Sequence, residues 1–262
     1  MFESLFDLPL FVTGPAIIGL LCLYALLGSR IFRRRVLPRL RIKDTDSDFS
    51  GAILQAVMVF YGLALALITV SVWESYSDVS KIISQEATTV AALYRDVTNY
   101  PEPLRSQLQS VLREYVNEVI RTSWPLQRRG KIPTGGVERI KRFQMMLDSF
   151  EPTTEGQKLL HGETLHAYNE MIQARRLRLD ALDIRLPGIL WLVISLGAVI
   201  SLTSSFFFVI EDAWLQGIQV SLLAAFIGLV IFMIFALDRP FRGDLGIPPD
   251  PYQLVYDQLM RS

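Results

Sequence analysis

The side chains best suited to chemistry are few. His161 and His166 are the only histidines and stand five residues apart. Two ligands on one helix face need a spacing of three or four. His166 and Glu170 have that spacing, but no further donors accompany them. The single cysteine, Cys22, sits in an apolar stretch, which excludes a disulfide framework and a cysteine zinc site. No phosphate loop, GxSxG elbow or dinucleotide fingerprint occurs. Gly135-Gly136 reads as a turn, and Asp180 and Asp183 read as solvated helix charges. The residues therefore give no catalytic group, metal site or cofactor, and the chain reads as a non-enzyme. Lys plus Arg and Asp plus Glu each number 26, so the net charge of zero gives no footprint for nucleic acid.

Two charges stand out because they interrupt apolar stripes. Val79, Ile82, Val90, Leu93 and Val97 recur at helical spacing, with Glu86 in their midst. Leu165, Tyr168, Ile172, Leu179 and Leu182 form a second stripe, broken where Arg175 and Arg176 fall. At about 1.5 Å per residue, Glu86 lies roughly 20 Å beyond Trp73, and Arg176 and Arg175 roughly 17 and 18 Å before Pro187. Antiparallel helices would bring these charges to similar depth. A partly buried pair between Glu86 and Arg175 or Arg176 is expected, set against a solvated face on each helix. Such a pair fixes register more than it stabilises, because desolvation offsets the Coulomb gain.

The elements that carry these residues are dominated by four uncharged blocks, Leu8–Ser29, Phe49–Trp73, Leu186–Ile210 and Ala213–Leu237. Each reaches the roughly 20 apolar residues that a helix needs to cross a bilayer. Trp73, Tyr76, Trp191 and Trp214 lie near their ends, where amphipathic rings favour the interface. The expected fold is an all-α, multi-pass membrane protein. Transmembrane helices at 8–29, 49–73, 186–210 and 213–237 form two hairpins that flank a helical soluble domain at 75–185. A C-terminal tail at 238–262 follows. Spans two and three are expected to run continuously into soluble-domain helices. Within that domain, Asn99–Pro103 stops the first helix, a second ends near Trp124-Pro125, and Thr154-Glu155-Gly156-Gln157 has the pattern of a capping box. The N-terminus lacks a basic region and a cleavage site, so the first block reads as a retained helix.

In this topology both termini and the soluble domain share one side of the membrane. The loop Arg30–Asp48 carries seven Lys and Arg, and the opposite face also carries seven near its helix ends. The positive-inside rule weights short loops, which leans toward a cytoplasmic first loop. None of the four blocks contains Asp, Glu, Lys or Arg. Proton-coupled carriers usually hold such a group in the membrane. What remains is a passive pore built from several subunits, with apolar rings that gate by dewetting, or a scaffold whose soluble domain binds a partner.

Several motifs occur in a suggestive order. Glu86-Ala87 with Leu93-Tyr94 follows the second block, then Tyr115 and Trp124-Pro125. Arg175-Arg176-x-Arg178-Leu179 leads to Leu186-Pro187-x-x-Leu190-Trp191, and Ala236-Leu237-Asp238-x-Pro240-Phe241-x-Gly243 ends the fourth block, before Pro248. This set resembles the bestrophin-like family of uncharacterised bacterial membrane proteins across nearly the whole chain, the run Asp238–Gly243 being its most specific piece. The resemblance implies a distant similarity to bestrophins, which are pentameric ion channels with four spans and a cytoplasmic helical domain between spans two and three. That location opposes the charge lean. It implies a homo-oligomer in the bacterial inner membrane, with inorganic ions as cargo and the second span lining the pore. That span offers two faces, Phe60, Ala64 and Ile68 or Leu63, Leu67 and Ser71. The acidic calcium clasp of the animal channels has no counterpart in the sequence. Asp238 and Arg239, with Pro240 and Gly243, mark the exit of the fourth span. Asp238 either caps, pairs with Arg178 or Arg185, or anchors the interface. The alternative function is a non-conducting membrane scaffold or sensor acting through the soluble domain.

Overall fold

The computed structural model describes residues 9–39, 44–207 and 212–261. Among these residues there is no strand, and four helical stretches are long and apolar enough to cross a membrane. Leu8 and residues 208–210, at the edges of the expected first and third spans, lie outside the described residues, as do Arg41 and Lys43 of the first loop. The chain divides into two units. One comprises the chain up to Glu74 together with Arg185–Arg239, and the other Ser75–Ile184 together with the chain from Pro240 onward.

The first unit contains α1 (Leu10–Ile31), the first part of α2 (Asp44–Asp96), α7 (Gly188–Ser205) and α8 (Ala213–Leu237). Its core is a set of small and branched side chains at helical spacing. Tyr61, Leu65, Ile68 and Val72 of α2 meet Ile194, Ala198 and Leu202 of α7, with Val220, Ala224 and Ile227 of α8 and Ala25 of α1. The Tyr61 hydroxyl donates to the Ile194 carbonyl at 2.8 Å, which satisfies a polar group that hydrocarbon would penalise. Its ring lies where a Cβ on Gly197 would stand, so glycine is what admits it. Large apolar side chains lie open on this unit, with Phe11, Phe60, Leu67, Ile189, Leu222 and Phe226 all more than half exposed. That is the composition of a lipid-facing surface.

The second unit contains the rest of α2, α3 (Leu104–Glu118), α4 (Trp124–Arg128), α5 (Gly136–Asp148), α6 (Glu155–Asp180) and α9 (Asp250–Val255). A π-helical turn at Val119–Ser123 joins α3 to α4, so the second helix of the domain does not stop at Trp124-Pro125 but passes through it. Pro125 falls in the first turn of α4, directly after the π-helical turn. Thr154 caps α6 with the reciprocal box: Gln157 N–H donates to Thr154 Oγ1 at 3.2 Å and Thr154 N–H to Gln157 Oε1 at 3.4 Å. The core runs from Val79, Ile83, Val90 and Leu93 on α2, through Leu108, Val111, Leu112 and Tyr115 on α3, to Met171 on α6.

The two expected continuities differ. α2 is one helix of 53 residues, with no proline in its sequence to interrupt it. α6 is not continuous with α7. A 3₁₀ turn at Ala181–Asp183 follows it, then extended backbone at Ile184 (ψ 122°) and Pro187 (ψ 139°). Pro187 disfavours helical geometry at the residue before it and so ends one helix before the next begins. The segment after Pro240 is not a loose tail. Phe241, Ile247, Tyr252 and Met260 are all buried in the second unit's core.

Candidate functional site

In the second unit, Glu86 is fully buried on α2, in the slot where its stripe called for an apolar residue. Its partner is Arg178, not Arg175 or Arg176. Arg178 Nε reaches Glu86 Oε2 at 2.6 Å and Nη2 reaches Oε1 at 3.4 Å, with both side chains shut off from water. Tyr115 donates its hydroxyl to Glu86 Oε1 at 2.6 Å. The guanidinium lies beside two rings that also touch each other, 5.7 Å from Trp124 and 5.9 Å from Tyr252, at cation–π range. Trp124 is fixed in turn, its indole N–H donating to the Ile247 carbonyl at 3.0 Å, with Tyr252 edge-on at 5.6 Å.

The correction from Arg175/Arg176 to Arg178 has a geometric cause. The buried face of α6 is Thr164, Ala167, Tyr168, Met171, Ala174 and Arg178. The large aliphatics Leu165, Ile172 and Leu179 lie one position to the side and are only half-buried. Ala167 and Ala174 are on the inner face together with Tyr168 and Met171, so the row of large aliphatics does not mark it. Arg178 follows Ala174 by one turn and points inward. Arg176 is exposed and lies 4.0 Å from Asp180, and Arg175 is half-buried near Gly136.

Burial works against the Arg178 charge, but Tyr252, Glu86 and Tyr115 around it hold its pKa well above the ordinary arginine value. Burial, followed by the Glu86 charge, pushes the Tyr115 and Tyr252 phenols far upward. The cluster is a buried pair of opposite charges, hydrogen-bonded to one phenol and packed against a second.

At the end of α8, Asp238 Oδ1 accepts the backbone N–H of Leu186 at 2.5 Å. Of the roles expected for Asp238, the structure shows the backbone cap: Arg178 is engaged by Glu86, and the carboxylate secures the extended link ahead of α7. Burial raises the Asp238 pKa, and the Leu186 hydrogen bond draws it part of the way back. Arg239 follows it in sequence. Pro240 accepts the Ile247 N–H at 2.8 Å, and Gly243 adopts φ 71°, a left-handed conformation that glycine takes without strain.

The membrane stretch of α2 has two unlike faces. Tyr61, Leu65, Ile68 and Val72 are buried in the first unit. Phe60 is 72% exposed, Leu63 57% and Leu67 64%, with Ser71 also exposed and Ala64 between the faces. Ile68 is thus a core residue, a correction to the face that grouped it with Phe60 and Ala64. The face carrying Leu63, Leu67 and Ser71 stays open along its length, with Phe60 beside it.

His161 receives the Tyr100 hydroxyl at 2.9 Å on Nδ1 or donates to it, and His166 lies on the surface 3.4 Å from Glu170. Tyr252 was missed from sequence. Its signal is the run Pro248-Pro249-Asp250-Pro251, a helix start with proline in the first turn, followed by apolar residues at helical spacing.

Comparison with known proteins agrees with this architecture. No curated protein matches the chain. A crystal structure described as that of a membrane protein aligns with TM-score 0.64 at 10% identity, over 92% of this chain and 96% of the other. At that identity the likeness concerns the fold. The model of the bestrophin-like domain matches residues 20–252. Glu86, Tyr115, Trp124, Arg178 and Tyr252 all fall within that match, as do the last three apolar spans and the second half of the first, and the chain belongs to the bestrophin-like family.

Proposed function

We propose that the protein is a homo-oligomeric ion channel of the bacterial inner membrane, a non-enzymatic pore whose wall is α2. The observation that carries the reading is the open apolar face of α2 at Leu63, Leu67 and Ser71, with Phe60 alongside. In a ring of subunits, such a face would build stacked apolar constrictions that pass ions when wet and stop them when dry. The family adds that bestrophins are channels, and their five-subunit ring is the expected assembly. The spans carry no ionisable residue for coupling, which favours passive flow of inorganic ions over a carrier.

Detergent-extracted particles are expected to show five-fold symmetry with a continuous axial path, and reconstituted vesicles to show ion flux. Leu67→Ser should raise that flux by widening and wetting the constriction. A monomer, or a two-fold dimer with no path, overturns the proposal, as does the absence of flux from a verified ring. A second reading, a scaffold or sensor working through the soluble unit, is favoured by one observation: the most elaborate polar construction, around Glu86, lies in that unit and not in the spans. It gains if the particles form no ring.

A further inference from the structure

A groove of about 460 Å³ opens between α1 and α8 in the first unit. Cys22 and Leu26 form one wall, and Gly217, Ile218, Ser221 and Leu222 the other. Gly217 and Ser221 stand one helical turn apart, and their small size hollows the α8 side. The polar atoms of the walls are already engaged. Ser221 Oγ donates to the Gly217 carbonyl at 2.7 Å, and Cys22 Sγ to the Ser221 carbonyl at 3.5 Å. The trough therefore presents hydrocarbon along its length.

Its mouth is different. Arg30, in the last turn of α1, lines the groove there and is exposed. Arg34, also exposed, follows four residues later on the adjoining π-helical turn. Trp214, 75% exposed, stands at the start of α8 beside the same opening. Asp212, nearby, accepts the Trp214 backbone N–H at 2.8 Å as the cap of α8. An apolar trough that ends on an exposed guanidinium and an interfacial indole matches one class of molecule in its surroundings: a lipid with a hydrocarbon chain and an anionic head. We propose that this groove binds an anionic glycerophospholipid, with one acyl chain along Leu26, Gly217 and Ser221 and the phosphate on Arg30. Guanidinium meets phosphate with two parallel hydrogen bonds, and basic pockets between membrane helices select anionic head groups in the same way.

The test uses the full chain in detergent, with phosphatidylglycerol and phosphatidylcholine of equal chain length as probes. Thermal unfolding and intact-complex mass spectrometry are the readouts. Phosphatidylglycerol is expected to stay bound at one lipid per subunit and to raise the unfolding midpoint more than phosphatidylcholine. Arg30→Gln, a change on an exposed side chain, should weaken phosphatidylglycerol retention roughly tenfold, the loss of one charge-assisted contact, and leave phosphatidylcholine unchanged. Ala225 lines the trough one turn beyond Ser221; Ala225→Leu, which fills it, should reduce retention of both, and Ser221→Leu gives the same test if the first variant is poorly folded. Equal retention of the two lipids by the unaltered protein overturns the proposal. So does a preference that survives Arg30→Gln. A filled groove that changes the subunit number but not lipid retention marks an interface between copies, and overturns it too.

Discussion

A carboxylate with no access to water needs its countercharge held in place, and Glu86 has Arg178 and Tyr115 for that purpose. Removing one partner of a buried pair leaves the other charge uncompensated, at a cost of about 3–5 kcal/mol. Arg178→Met is therefore expected to lower the unfolding free energy by about that amount, and adding Glu86→Gln should restore most of it. Arg176→Met, on an exposed side chain, should change stability by less than about 0.5 kcal/mol. Thermal or denaturant unfolding of the four proteins checks this, and equal effects at Arg176 and Arg178 would refute it. Glu86 was visible in the sequence because a charge interrupted an apolar stripe. Arg178 was harder to assign. Large aliphatics weigh most in a periodicity pattern, while the buried face of α6 includes Ala167 and Ala174, which carry little hydrophobic signal of their own.

At the scale of elements, α2 and α7 fit through one shape match, the Tyr61 ring against Gly197. Gly197→Ala puts a methyl group into that ring, and overpacking of this kind costs about 1–3 kcal/mol. Tyr61→Leu in the same chain should recover part of the loss. A lower unfolding midpoint for the single variant than for the double is the expected reading, and the reverse order would count against the match. α9 makes the parallel case in the second unit. Tyr252→Ala should cost about 3–5 kcal/mol, as for other buried aromatics, and calorimetry would show it. Helix existence was legible for the spans and for α6, because block length and the Thr154 box are local signals. The break at Ile184–Pro187 is also written locally, in Pro187, against the expectation that span three continues into a soluble-domain helix. Burial of the segment after Pro240 was not local, because it depends on Trp124, a long way back in the chain.

For the molecule as a whole, the decisive property is which apolar surfaces meet lipid and which meet something else. Phe226 on α8 and Leu67 on α2 are both about two-thirds exposed within the subunit. An arginine facing the middle of the bilayer costs about 2.5–3.5 kcal/mol on insertion scales. If α2 lines a pore, Leu67→Arg meets water and should insert normally, with altered ion selectivity. Phe226→Arg should insert poorly. Alkaline extraction of membranes from cells expressing each variant measures the difference, and equal insertion defects would speak against a wet face on α2. The membrane class of the chain was fully legible, because the bilayer demands length and apolarity alone. The open face of α2 was not, since both candidate faces are apolar and only packing against α7 separates Ile68 from Leu67.

The shelter around Glu86 also has an order in time. Glu86 and Arg178 are 92 residues apart, and the Trp124 indole closes on Ile247 across 123 residues. During synthesis from the N-terminus, Glu86, Tyr115 and Trp124 emerge well before Arg178, and Tyr252 comes after the fourth span has already been made. Long loops must close before these contacts reward folding, which makes such pairings slow. A chain that stops before Tyr252 therefore has an incomplete wall around Arg178, and its soluble unit is expected to be cut faster by protease than that of the full chain.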